Sequence, residues 1–245
     1  MANWHKAGEN IPNNLIFVSL FVFDTIVILG AIVLGTHKGN SLLYFGKHSF
    51  ITWISVFQLL TISLLSYIIF QTRGGTLRHF SWRAPYTVWT IVSIGFLFLA
   101  MDDLFEIHES IDHRIHDIFN LEESALSDRF DDMIVGLYGL IGLSSLYYCR
   151  EEIKKYRQIL PFLICGFVFL FIMVAMDALA NRNDIFQKLV HHDLADFLYI
   201  ICYVGEDPVK IFGESFFLVG FYSALQIARG KATKSAIHEV TRRIT

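Results

Sequence analysis

Proline is scarce in this chain, with only four among 245 residues, and cysteine is scarcer, with three. Few prolines leave long stretches free to stay helical, because proline removes a backbone donor and clashes with the preceding turn. Cys149, Cys165 and Cys202 are odd in number and form no C-x-x-C pair, so packed thiols are expected rather than a disulfide or metal framework. Charged residues make up only 18%, the net charge is −3, and there is no basic arm or zinc-finger spacing, so no nucleic acid is expected as a partner. The pattern E-x-x-H is missing altogether, which counts against a di-iron carboxylate bundle. The amino end, MANWHKAGENIPNN, has neither the charged start nor the small-residue cleavage site of a signal peptide, so the first apolar run is expected to remain in the mature protein.

Apolar residues fill the space these absences leave. They make up 54% of the chain, and mean hydropathy is +0.48. Apolar runs of about 20 residues are the length of bilayer spans. Six are expected, over Leu15–Gly35, Ile51–Phe70, Tyr86–Phe105, Phe130–Cys149, Gln158–Ala178 and Asp207–Ala228. The fold expected is therefore an all-α integral membrane protein, one polytopic domain with six transmembrane helices. A first hairpin covers 15–70, further hairpins cover 86–150 and 158–228, and a basic tail covers 229–245. Lys and Arg concentrate in alternate connections: Arg73, Arg78 and Arg83, then Arg150, Lys154, Lys155 and Arg157, then the tail. By the positive-inside rule both termini are cytoplasmic, in the cell (inner or plasma) membrane.

The second and third hairpins resemble one another. At an offset of about 75 residues, FLFLAMDDL (Phe96–Leu104) lies over FIMVAMDAL (Phe171–Leu179), as in a tandem helical-hairpin repeat. Asp102 then falls on Asp177, Glu109 on Asp184, His116 on His191, and Asp131-Asp132 on Glu206-Asp207. Hairpins repeated in the same orientation imply a parallel pseudo-twofold axis along the membrane normal. Acids from both copies would then meet at the outer ends of spans 3 to 6.

That ring, formed by Asp102, Asp177, Asp131, Asp132, Glu206 and Asp207, is the expected functional site. Uncompensated carboxylates in low dielectric take up protons or a cation. Oxygen ligands suit Mg, Ca or Mn, and added imidazole shifts the preference towards Zn or Fe, so a divalent metal ion is the expected cofactor. Asp131 and Asp132 open a helix, where acids also serve as ordinary caps. Asp102 and Asp177 close theirs, where the dipole disfavours an anion, which makes them more informative. His108 opens HESID, which reads H-E-x-x-D where zinc proteases have H-E-x-x-H; His108 and Asp112 stand one turn apart and could share a metal.

Lys210 lies one turn after Glu206 and one before Glu214, so it needs an acidic partner inside its span, Glu206 or Asp207 being nearest in sequence. Asp24, in FVFDTIV near the middle of span 1, is an intramembrane acid: a proton relay, a link to Lys210, or a group hydrogen-bonded to a nearby Ser or Thr. Beyond span 3, Asp102, Glu106, Glu109, His113 and His116 form one helical stripe and Leu104, Ile107, Ile111, Ile115 and Ile118 the opposite one, as in an amphipathic extension. His116, His191 and His192 read as surface histidines. Phe197–Ala228 is too long for one upright span, and Pro208 beside Gly205 is expected to break it.

Glu206-Asp207-Pro208-Val209-Lys210 has the form E-[ED]-x-x-K and resembles the first motif of glutamic intramembrane proteases of the PrsW kind. In that family further Glu and His residues follow in later spans, whereas here the motif opens the last span and only Glu214 follows. No residue role is carried over. The leading expectation is metal-dependent hydrolysis of a lipid-like substrate, with Glu106 or Glu109 as base and Lys210 holding an anionic headgroup. The alternatives are a cation- or proton-coupled transporter, favoured by Asp24, and a sensor or assembly subunit without turnover. Membrane lipid and a small-molecule or lipid-like substrate are the expected partners.

Overall fold

Helix α1 (Asn13–His37) is apolar almost all round, yet it buries only a narrow stripe. Phe17, Phe21, Asp24, Ile28, Ala31 and Gly35 alternate steps of four and three, the spacing of a coiled-coil seam. Leu15, Val18, Val22, Ile26, Leu29 and Val33 point outward and are exposed, as suits a helix surrounded by lipid. The computed structural model describes residues 13–40, 43–45, 48–75, 81, 84–119, 130–180 and 190–244. Among them the regular structure is helical, without strands.

The remaining elements are α2 (Phe50–Thr72), α3 (Thr87–Phe105), α4 (Ile107–Phe119), α5 (Phe130–Tyr148), the short α6 (Arg150–Ile153), a 3-10 turn (Lys154–Ile159), α7 (Leu160–Ala180) and α8 (His192–Ile244). Five helices, α1, α2, α3, α7 and α8, are long and apolar enough to cross a membrane. The apolar part of α5, Met133–Tyr148, is shorter.

α2 and α8 are central. α2 begins at Ser49, whose hydroxyl accepts from the Thr52 N–H at 3.2 Å, and it packs against both α3 and α8. α8 lies along α7, α2 and α1. Its approach to α7 depends on glycine: a Cβ at Gly213 would stand 3.0 Å from the Phe169 Cβ, and one at Gly220 3.2 Å from the Phe162 Cβ. Small residues let helices pack closely where lipid removes the hydrophobic drive to associate. Towards the Thr72, Thr87 and Leu160 ends, Trp89, Tyr156 and Phe221 sit at the middle of the largest apolar core, with the Trp89 and Tyr156 rings edge-on at 4.9 Å. α3 packs mainly on α2 and α7 mainly on α8, so the hairpins at 86–150 and 158–228 are packed differently.

Two sequence expectations are corrected. Pro208 does not end the last helix: α8 runs unbroken from His192 to Ile244, and Phe197–Val204 belongs to it. Packing on three sides supports the turn where proline removes one backbone donor, as happens in membrane helices. The extension of the third helix, by contrast, does break. Glu106 adopts the left-handed conformation (φ 52°, ψ 47°), and α4 starts afresh at Ile107. Asp102 and Glu106 therefore do not continue the α4 polar stripe, although Ile111 and Ile118 of the apolar stripe are exposed.

Candidate functional site

The polar groups deepest in the helix packing lie where α1, α2, α3 and α8 meet. Asp24 occupies a seam position of α1 and is 0% exposed. Its two carboxylate oxygens accept from Gln58 Nε2 of α2 at 2.9 Å and from Ser215 Oγ of α8 at 2.6 Å. Next to Ser215, Glu214 is 6% exposed and accepts from Ser55 Oγ of α2 at 2.6 Å. One turn back along α8, Lys210 forms an ion pair with Asp103, the last acid of α3. Asp207 and Glu214 are close enough to act on the Lys210 charge, and Asp24 and Asp103 on that of Glu214.

Local sequence explains why these residues converge. Ser55 and Gln58 are three apart, hence on one face of α2. Lys210 and Glu214 are four apart and share a face of α8. The consecutive acids Asp102 and Asp103 point about 100° apart on α3 and so face different neighbours. Asp103 turns to Lys210. Asp102 accepts the His108 N–H at 2.8 Å and approaches His108 Nδ1 at 2.9 Å. It thereby caps the new helix α4 across the left-handed Glu106.

Lys210 is thus partnered from another helix: Asp103 is its direct contact, in place of the sequence neighbours Glu206 and Asp207. It does not stand free to hold a headgroup. Asp24 takes the hydrogen bond from Ser215, and the next residue of α8, Glu214, is near enough for its charge to act on Lys210. Of the expected metal ligands, Asp102 and His108 meet, and Glu109 approaches His108 Nε2 at 3.9 Å. Glu106 faces His48 at 3.2 Å; these two are the non-glycine residues with positive φ among those described. Asp177, Glu206 and Asp207 are half-buried on α7 and α8. Asp131 and Asp132 belong to α5, but their side chains, like all of Asp184, lie outside the described residues. Among the described residues no three His, Cys, Asp or Glu side chains converge as a metal site. His116 is buried rather than superficial, with Nδ1 3.2 Å from Asp112 Oδ1, whereas His191 and His192 are exposed.

A second charged cluster lies at the other end of the bundle. Glu152 of α6, fully buried, accepts from Arg73 Nε at 2.9 Å and from Lys155 Nζ at 2.6 Å. Burial works against the Arg73 charge, but the Glu152 carboxylate outweighs it and the pKa is raised.

Among the described residues the regular structure is helical, and five helices able to cross a membrane, with carboxylates gathered round a lysine between them, mark a polytopic membrane protein with an ionisable interior. The chain belongs to the family described as a domain of unknown function (DUF8692), which matches residues 18–225 and so takes in every member of the buried network. No curated protein and no solved structure matches it.

Proposed function

We propose that this protein is a six-span membrane transporter coupled to protons or another cation, with α5 as the sixth span, both termini cytoplasmic, and the Asp24–Glu214–Lys210–Asp103 network as the coupling site. One observation carries the reading. Among the described residues, the buried Asp24 and Glu214 and the half-buried Asp103 share one ammonium, Lys210. Carboxylates left without a cation in low dielectric hold a proton or capture an ion, and release it when the surroundings change. Coupling sites of transporters lie near mid-membrane, and Asp24 is close to the centre of α1. Ser55 donates to Glu214, and Gln58 and Ser215 donate to Asp24, so each of these two acids is held by hydroxyl or amide groups of the neighbouring helices.

The test requires no identified substrate. Proteoliposomes adsorbed on a solid-supported membrane are stepped to acid pH, and the transient current is recorded. Charge displaced into the network gives a current above that of protein-free vesicles, and Glu214→Gln and Asp24→Asn abolish it. A response no larger than that of protein-free vesicles sinks the proposal.

Metal-assisted hydrolysis of a lipid-like substrate has a narrower footing, in Asp102, His108 and Glu109 at the outer end of α3. Both Asp102 oxygens are already engaged by His108. Stoichiometric metal in the purified protein, lost in Asp102→Ala, would favour that reading over transport.

A further inference from the structure

Ser55 and Gln58 of α2, Asp24 of α1, and Glu214 and Ser215 of α8 form a closed ring. Ser55 donates to Glu214, Ser215 donates to Asp24, and Gln58 donates to Asp24, with short stretches of α2 and α8 backbone completing the circuit. Two oxygens on the ring have no hydrogen-bond partner: Glu214 Oε2 and Gln58 Oε1, both buried. Gln58 as a residue is only 3% exposed. Its Nε2 is committed to Asp24, so Oε1, on the same amide carbon, is held at the site. A buried acceptor with no donor is unfavourable, and each one calls for a reason such as an ion.

A cation can satisfy both of these acceptors, which the donor side chains leave open. The set consists of two carboxylates, one amide carbonyl and two hydroxyls, with no imidazole or thiol, which is the chemistry of a hard ion and not of a soft transition metal. Lys210, one turn before Glu214, repels a doubly charged ion more than a singly charged one. Magnesium, moreover, gives up its water reluctantly.

We infer that the ring of Asp24, Ser55, Gln58, Glu214 and Ser215 is a binding site for a dehydrated sodium ion, which competes there with a proton. The inference rests on the coupling reading given above and names its ion. Besides Asp24 and Glu214, the charged groups around the ring are Lys210 and Asp207 on α8 and Asp103 on α3. The Lys210–Asp103 pair is a neutral unit, so sodium leaves the ring with one negative charge rather than two.

The experiment is thermal unfolding of the full chain in detergent, titrated with NaCl, KCl or choline chloride at constant ionic strength, at neutral and at acid pH. Sodium at roughly ten times its Kd is expected to raise Tm by about 3–5 °C, saturably, while potassium and choline do not. Acid pH should weaken the sodium effect. Gln58→Leu, which keeps both carboxylates, should reduce it, and Glu214→Gln should remove it while eluting as a monodisperse peak. Equal Tm in all three salts overturns the inference, as does equal stabilisation by sodium and potassium. Acid stabilisation without any sodium effect also overturns it, yet leaves proton coupling standing. Sodium binding with no transient current does the reverse: the site survives as a structural ion site and the transport proposal falls.

Discussion

The two buried charge clusters of this molecule differ in their balance. At one end of the bundle Glu152 has Arg73 on one oxygen and Lys155 on the other, so an acid is surrounded by cations. At the junction of α1, α2, α3 and α8, Asp24, Glu214 and Asp103 must share Lys210. The first arrangement is complete and holds α6 against the end of α2. The second has more acids than cations among the described residues, the imbalance on which the coupling proposal rests. Burial is common to both clusters; the balance of charge is what separates them.

Substitution should reveal that contrast. Glu152→Ala leaves Arg73 and Lys155 without their acid and is expected to cost about 3–5 kcal/mol. Because both cations are partly exposed, the value should fall towards the lower end, as measured by thermal unfolding in detergent. Lys210→Met, at about 3 kcal/mol, should be nearly as damaging, because it strands Asp103 in the packed interior. Asp103→Asn in the same background should recover most of that loss, and a double-mutant cycle showing no coupling would deny the pair. Asp102→Ala removes the acceptor at the start of α4 and should cost about 1–2 kcal/mol, with faster amide exchange confined to Ile107–Phe119. Ser55→Ala takes one donor from Glu214 and should cost about 1 kcal/mol. Smallest of all is Glu214→Gln. Removing an uncompensated buried charge is expected to change stability by less than about 1 kcal/mol, or to raise it, while abolishing the pH-step current. If Glu214→Gln proves as destabilising as Glu152→Ala, the two clusters are alike and the contrast fails.

Parts of this site could be read from the chain and parts could not. Asp24 stands out within span 1 because an acid there is expensive, and its Phe17–Gly35 seam spacing foretells burial. Lys210 and Glu214 are likewise visible as charges on one face of a helix. Asp103 escaped because the repeat alignment places Asp102 over Asp177 and Asp103 over Ala178, directing attention to the wrong acid of the pair. Ser55 and Gln58 escaped because polar uncharged residues in a span carry a weak signal. Their spacing on one face of α2, in a run otherwise rich in Ile, Leu and Phe, was the available clue. The Pro208 expectation failed because proline weakens a helix locally, while the neighbouring helices that support α8 are remote in sequence.

Hydrophobic run length and the scarcity of proline were enough to establish a bundle of apolar helices, since a backbone in lipid must satisfy its own hydrogen bonds. Those properties are summed along the chain and need no partner. Which acid meets Lys210, why Asp102 starts a helix instead of lining a pocket, and how Ser55 and Gln58 close a ring with Asp24 and Glu214 depended on side chains far apart in sequence being brought within hydrogen-bond range. Such contacts are set by how α1, α2, α3 and α8 rotate about their axes when they pack, and a helix alone carries no information about the rotation of its neighbour.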